Sequence, residues 1–127
     1  EITATLTAGR RAAGGGRLVA CFQPHLYSRT RDFASEFGEA LALADLVVLT
    51  DIYPAREDPI EGVTGALVMD ATVAAGAQAV YVPRKAQLPS ALAQLVEPGD
   101  LVMTLGAGDV TLVGPMLAQL LGHVAHE

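Results

Sequence analysis

Tryptophan does not occur in this 127-residue sequence, cysteine occurs once, and aromatic residues make up only 5%. A core must therefore be assembled from alanine, valine and leucine, and the 51% hydrophobic content supplies enough of them; a disordered segment does not carry so large an apolar fraction. The single cysteine excludes an intrachain disulfide. Cys21 lies between Ala20 and Phe22 in an apolar run and reads as a small buried hydrophobe; a reducing, cytoplasmic setting suits such a thiol. Basic residues are scarce, eight against fourteen acidic ones, for a formal net charge of −6. Without a basic stripe to neutralise phosphates, nucleic acid is disfavoured as a partner. Long apolar runs are missing too. Asp45, Asp70 and Asp100 cut the longest stretches well short of the ~20 residues a membrane-spanning helix needs, so no membrane partner is expected. No basic-then-apolar leader opens the chain, which starts on Glu1 as a piece of a longer polypeptide would.

What is present is a repeated alternation of two hydrophobic patterns. Residues 18–22, 46–49, 79–82 and 101–105 are short continuous apolar runs, each followed by polar or turn-forming residues. Between them run helical stripes. Phe33, Phe37 and Leu41 recur at i, i+4 and i+8 over residues 30–44, with Asp32 near the start where a negative charge suits the helix dipole. A second helix spans about 63–75 and stops at Gly76, and Leu88, Leu92 and Leu95 mark a third that ends before Pro98-Gly99. Residues 2–13 form an opening helix, and Asp109 opens a last one running to about Gly122. Strands without inside–outside alternation, separated by helices, predict a Rossmann-like α/β fold: a mostly parallel sheet with helices on both faces. The length fits a single domain over 1–127. Strand order does not follow from the pattern.

In such sheets ligands bind beyond the carboxyl ends of the strands. The loops there hold residues 23–29, 51–58, Arg84-Lys85 and 106–109, and they are richer in His, Tyr and Arg than the loops at the opposite edge. Arg29 stands near a helix start, where the dipole disfavours a cation. It either clamps a ligand carboxylate together with the helix N–H groups or pairs on the surface with Asp32 or another acid. His25 can hydrogen-bond an oxyanion or an ammonium group, or pack on Tyr27. Asp51 either accepts from an amine or hydroxyl, or caps the next turn. Glu57 and Asp58 hold Mg2+, position an amine, or form a solvated acidic loop. Asp109 is expected to cap the last helix. The Walker phosphate loop is absent, residues 106–111 lack the third glycine of the dinucleotide fingerprint, and no His/Cys spacing supports a metal site. On residues alone this is a binding half-site rather than a complete active site.

Residues 22–30, Phe-Gln-Pro-His-Leu-Tyr-Ser-Arg-Thr, closely resemble the FQPHxYSRT segment of Mur ligases, in the branch that acts on L-alanine. Residues 51–60 resemble that branch's D-x-Y-x-A-x-E-x-P-I loop, and residues 105–109 are similar to its late GAGD turn. The resemblance implies a three-domain, cytoplasmic enzyme of peptidoglycan synthesis that joins L-alanine to UDP-N-acetylmuramate through an acyl phosphate. ATP and Mg2+ serve the full enzyme and neither binds tightly to this domain alone. The chain corresponds to the C-terminal, amino-acid-binding domain, with the UDP-sugar and ATPase domains outside it, and is expected to be inactive alone. By the same resemblance His25 and Arg29, with Tyr27, hold the alanine carboxylate, and Asp51, Tyr53, Glu57 and Asp109 are their neighbours. Two positions depart from the pattern. Leu26 stands where many relatives carry a second arginine, and Arg56 replaces the glycine usual before Glu57. The competing reading is a non-catalytic α/β module that binds a small carboxylate or a protein.

Overall fold

The computed structural model describes residues 2–106 and 108–125, without the side chains of residues 108, 109 and 123–125. Four strands, β1 (Leu18–Gln23), β2 (Leu46–Leu49), β3 (Gln78–Tyr81) and β4 (Leu101–Gly106), form one sheet in the order β3-β2-β1-β4. Every pairing is parallel. The α-helices among the described residues are α1 (Ile2–Ala13), α2 (Tyr27–Leu41), α3 (Ala66–Ala74), α4 (Leu88–Leu95) and α5 (Val113–Ala125). The chain winds outwards from β1 to β3 and then returns past β1 to lay down β4. The strand order thus reverses between β1 and β4, the place where α/β sheets open a crevice.

The unbroken apolar character of the strands follows from this layering. Leu18, Ala20 and Phe22 of β1 share a core with Leu6 of α1, Leu41 of α2 and Val68 of α3. The intervening Val19 and Cys21 meet Leu88 and Leu92 of α4, and Val113 and Leu117 of α5, on the other face. The central strands β1 and β2 are buried along their whole length, so side chains on both of their faces are apolar up to Gln23. Burial pushes the Cys21 thiol up to about 12, and its residue is 0% exposed. A maleimide or disulfide reagent at neutral pH is therefore expected to leave Cys21 unmodified in the folded domain and to react stoichiometrically once denaturant is added. Rapid labelling of the native protein would contradict this packing.

At the amino-terminal edge, ion pairs tie the layers together. Asp45 accepts from Arg10 at 2.8 Å and from the Leu18 amide at 2.7 Å, and Asp100 accepts from Arg17 and from the Glu97 amide, both at 2.8 Å. The arginines first, and the amides with them, hold both carboxyls below the usual aspartate range. A concavity of about 710 Å3 lies here, lined by Arg10, Arg17, Asp45 and the triple glycine Gly14–Gly16. Its charges are already neutralised within the chain.

Three details depart from the sequence reading. Helix α2 starts at Tyr27, earlier than the apolar stripe indicates. Asp32 consequently lies past the first turn and pairs with Arg31 at 2.9 Å instead of serving the helix end. Helix α5 starts at Val113, after a 3₁₀ turn over Gly108–Leu112. The backbone of Asp109 is in that turn, and its expected capping side chain lies outside the described residues. Among the described residues, no helix is long and apolar enough to cross a membrane.

Candidate functional site

The loops after β1 and β2 are laced together at the carboxyl edge. The Tyr53 amide donates to the Pro24 carbonyl at 2.8 Å, and the Leu26 amide donates to the Tyr53 carbonyl at 2.9 Å. This short parallel bridge pairs His25 with Tyr53, which places their rings side by side, stacked 5.8 Å apart and inclined by 18°. His25 therefore packs on Tyr53, and the expected packing on Tyr27 gives way because bridged neighbours on parallel strands present their side chains together. Lys85, in the loop after β3, brings its ammonium to 5.9 Å from the Tyr53 ring centre, within cation–π range. Three strand ends thus converge on Tyr53. Lys85 carries no motif that marks it in the sequence. Only its position after a strand pointed to this edge.

Glu57 occupies an unforeseen position. Its carboxylate accepts from the Ser28 amide at 3.0 Å and closely from the Ser28 hydroxyl. Ser28 is in the first turn of α2, so Glu57 neutralises the amino end of that helix from the neighbouring loop. The Ser28 hydroxyl, then the Ser28 and Tyr27 amides, hold its carboxyl below the usual glutamate range. This stabilisation is present above the ordinary glutamate value of about 4.3 and is lost as pH falls through the lower folded value. Of the helix N–H groups expected to join Arg29 at a carboxylate, the Ser28 amide is already taken by an internal anion. Ser28 was not singled out in the sequence. The signal for it was the absence of a capping side chain at Leu26.

Asp51 takes the capping alternative. Its Oδ1 accepts from the amides of Ile52 at 2.9 Å and Gly65 at 3.0 Å, and so anchors the start of α3. Burial, and then the Asp51 charge, raise the Tyr81 phenol above its ordinary value. Gln23, only 5% exposed, donates its amide nitrogen to the Asp51 carbonyl at 3.1 Å, while its Oε1 has no hydrogen-bond partner. Tyr27 is half-buried, and Arg56 and Asp58 are exposed.

Arg29 is exposed and lines an open groove of about 530 Å3 between α1 and α2, with Ile2, Thr3, Phe33, Glu36, Phe37 and Ala40. None of His25, Tyr53 or Glu57 lines that groove. The surface pairing of Arg29 with Asp32 is not formed, because Asp32 is held by Arg31. The structure therefore brings His25, Tyr53 and Lys85 together, joins Glu57 to Ser28, and leaves Arg29 on the adjoining face of the same helix turn. Among the described residues no cluster of three His, Cys, Asp or Glu side chains could hold a metal ion. The amino end of α2, a natural anion site, already holds the negative charge of Glu57.

A parallel sheet wound in the order β3-β2-β1-β4 with helices on both faces defines a domain of Rossmann-like architecture. The chain belongs to the Mur ligase family: the family profile described as "Mur ligase, glutamate ligase domain" matches residues 1–108. It is 69% identical over 122 residues to the UDP-N-acetylmuramate--L-alanine ligase of Cutibacterium acnes, covering 95% of this chain and 26% of that protein. It is 56% identical over 117 residues to the protein of the same name from Streptomyces avermitilis, covering 92% of this chain and 25% of that one. The chain thus spans about a quarter of the length of these relatives. A crystal structure of a domain assigned to a UDP-N-acetylmuramate:L-alanyl-gamma-D-glutamyl-medo-diaminopimelate ligase from Haemophilus ducreyi superposes with a TM-score of 0.64 at 22% identity, covering 94% of this chain and 80% of that one. That likeness establishes the shared fold.

Proposed function

We propose that this chain is the amino-acid-presenting, C-terminal domain of a cytoplasmic enzyme that joins L-alanine to UDP-N-acetylmuramate at the expense of ATP, with Mg2+, in peptidoglycan synthesis. The observation that carries the reading is the 69% identity, over 95% of the chain, to a ligase named for that reaction. The geometry fits a presenting role. Arg29, exposed at the first turn of α2, offers a planar, permanently charged fork that matches a carboxylate. His25, fixed by its stack on Tyr53, offers a ring nitrogen from the loop that leads into α2, outside the groove that Arg29 lines, with Tyr27 beside it in the chain. Holding L-alanine by its carboxylate leaves the amine free to meet the activated carboxyl group of the sugar nucleotide. Positioning of this kind supplies up to about 7–11 kcal/mol of barrier reduction when the approach is well aligned. Asp51 and Glu57 shape the loops, Tyr53 braces His25, and Asp109 belongs to the same edge by its place after β4. The nucleotide and the acyl intermediate fall to the parts of the polypeptide beyond this domain.

The test is amino-acid-dependent phosphate release by the full-length polypeptide with ATP, Mg2+ and UDP-N-acetylmuramate. Release is expected with L-alanine and not with D-glutamate or diaminopimelate, and the isolated domain is expected to release none under the same conditions. Release that follows an acidic amino acid, or that ignores L-alanine, would refute the reading.

A further inference from the structure

Helix α2 begins without a cap of its own. Its N-cap residue, Leu26, makes no side-chain cap hydrogen bond and sits at φ 70°, a backbone region that leucine adopts only under constraint. In the partner loop Ala55 stands at φ 54°. These are the two non-glycine residues with positive φ among the described residues, and they flank one contact, that of Ser28 with Glu57. Conformations of this kind persist where the surroundings hold them, and they gather at functional sites. The holding contacts are visible: Leu26 to Tyr53, Tyr53 to Pro24, and both donors of Ser28 to Glu57.

A second feature separates the first turns of α2 from the rest of the helix. Phe33 has φ −121° and ψ 16°, which are not helical angles. Before it, the Thr30 hydroxyl donates back to the Leu26 carbonyl at 2.8 Å, a bond type that bends helices. Residues 34–41 take their direction from the core, through Phe37 and Leu41. Residues 27–32, which carry Arg29, have the bend on one side and the Glu57 carboxylate on the other. We propose that Ser28 and Glu57 form a positioning pair that fixes the first turn of α2, and with it Arg29, relative to the bound amino acid without touching it. Glu57 also favours this geometry electrostatically, as an anion at the positive end of the helix. Its depressed titration is the counterpart of that attraction.

The inference rests on the reading that Arg29 holds L-alanine, and the experiment separates the two. In the full-length enzyme, Glu57→Ala and Ser28→Ala should each raise the KM for L-alanine about tenfold or more, since a misplacement near 1 Å costs up to about a hundredfold. The KM values for ATP and UDP-N-acetylmuramate should not move. Glu57→Gln should recover part of the loss, because its amide oxygen still accepts from the Ser28 N–H. The double variant Arg29→Ala/Glu57→Ala should be no worse than Arg29→Ala alone, as expected of a residue that acts through another. A KM for L-alanine that stays at the parental value in Ser28→Ala and Glu57→Gln, while Arg29→Ala raises it, would overturn the positioning pair and leave the binding reading standing. Additive effects in the double variant, or all three KM values rising together, would also overturn it. An unchanged KM in Arg29→Ala would remove the binding reading itself, and the pair with it.

Discussion

Arg29→Ala in the full-length enzyme is expected to raise the KM for L-alanine about 10- to 100-fold, with little change in the KM for UDP-N-acetylmuramate. The magnitude follows from the contact it would remove. A hydrogen bond to a charged group contributes about 1.5–3 kcal/mol, and each 1.4 kcal/mol is a factor of ten. In the proposed reaction the carboxylate of L-alanine does not change, so Arg29 in its proposed role would bind ground state and transition state alike. Its loss should appear in KM rather than kcat. Arg29→Lys should recover only part of the affinity, because an ammonium group cannot present two parallel donors. Steady-state kinetics with each substrate varied in turn decide the matter. Leu26 gives the prediction its edge: with leucine at that position, the loop from Gln23 to Ser28 carries no second arginine. Equal rises for L-alanine and UDP-N-acetylmuramate would count against a carboxylate clamp.

Gly38→Ala is expected to destabilise the domain by about 1–3 kcal/mol, the usual cost of overpacking. A Cβ at Gly38 would stand 2.5 Å from both the Cβ and the carbonyl carbon of Ala71, and 2.7 Å from its oxygen. Two effects compete here. Replacing a mid-helix glycine by alanine favours the helix by up to about 1 kcal/mol. Against that, the contact involves backbone, which no side-chain rotation relieves, so α2 and α3 must move apart along their packed length. The clash wins. Thermal unfolding should shift downwards by roughly 4 °C for each kcal/mol lost. An unchanged or raised midpoint would mean that the helices are not in such close contact. The same substitution should leave the first turn of α2 in place, because the bend at Phe33 lies between it and Gly38.

The two predictions differ in how far their basis could be read from the chain alone. Close helix contact at Gly38 left no local mark; a single glycine in a helical stripe looks like any other. Arg29 did leave one, since a cation near a helix start is unfavourable unless something compensates for it. Asp51 was legible as one of two roles, and only the position of Gly65 decided between them. His25 was readable as a loop residue at the right edge, yet its partner Tyr53 comes from another strand 28 positions on. Glu57 illustrates the limit best. Its charge and neighbourhood were evident, but its partner Ser28 is brought to it by the parallel pairing of β1 with β2.

Local chemistry by itself determined the number and type of elements in this protein. Four unbroken apolar runs must be strands covered on both faces, and the stripes between them must be helices, because each pattern depends on neighbouring residues only. The carboxyl edge proposed for ligand binding followed from the same alternation. The strand order β3-β2-β1-β4, the early start of α2 under the Glu57 cap, and the meeting of His25, Tyr53 and Lys85 were decided by tertiary structure alone. Each of these depends on loops distant in sequence closing on one another, and that closure is driven by non-directional burial of the core, which records no pairing in the order of residues.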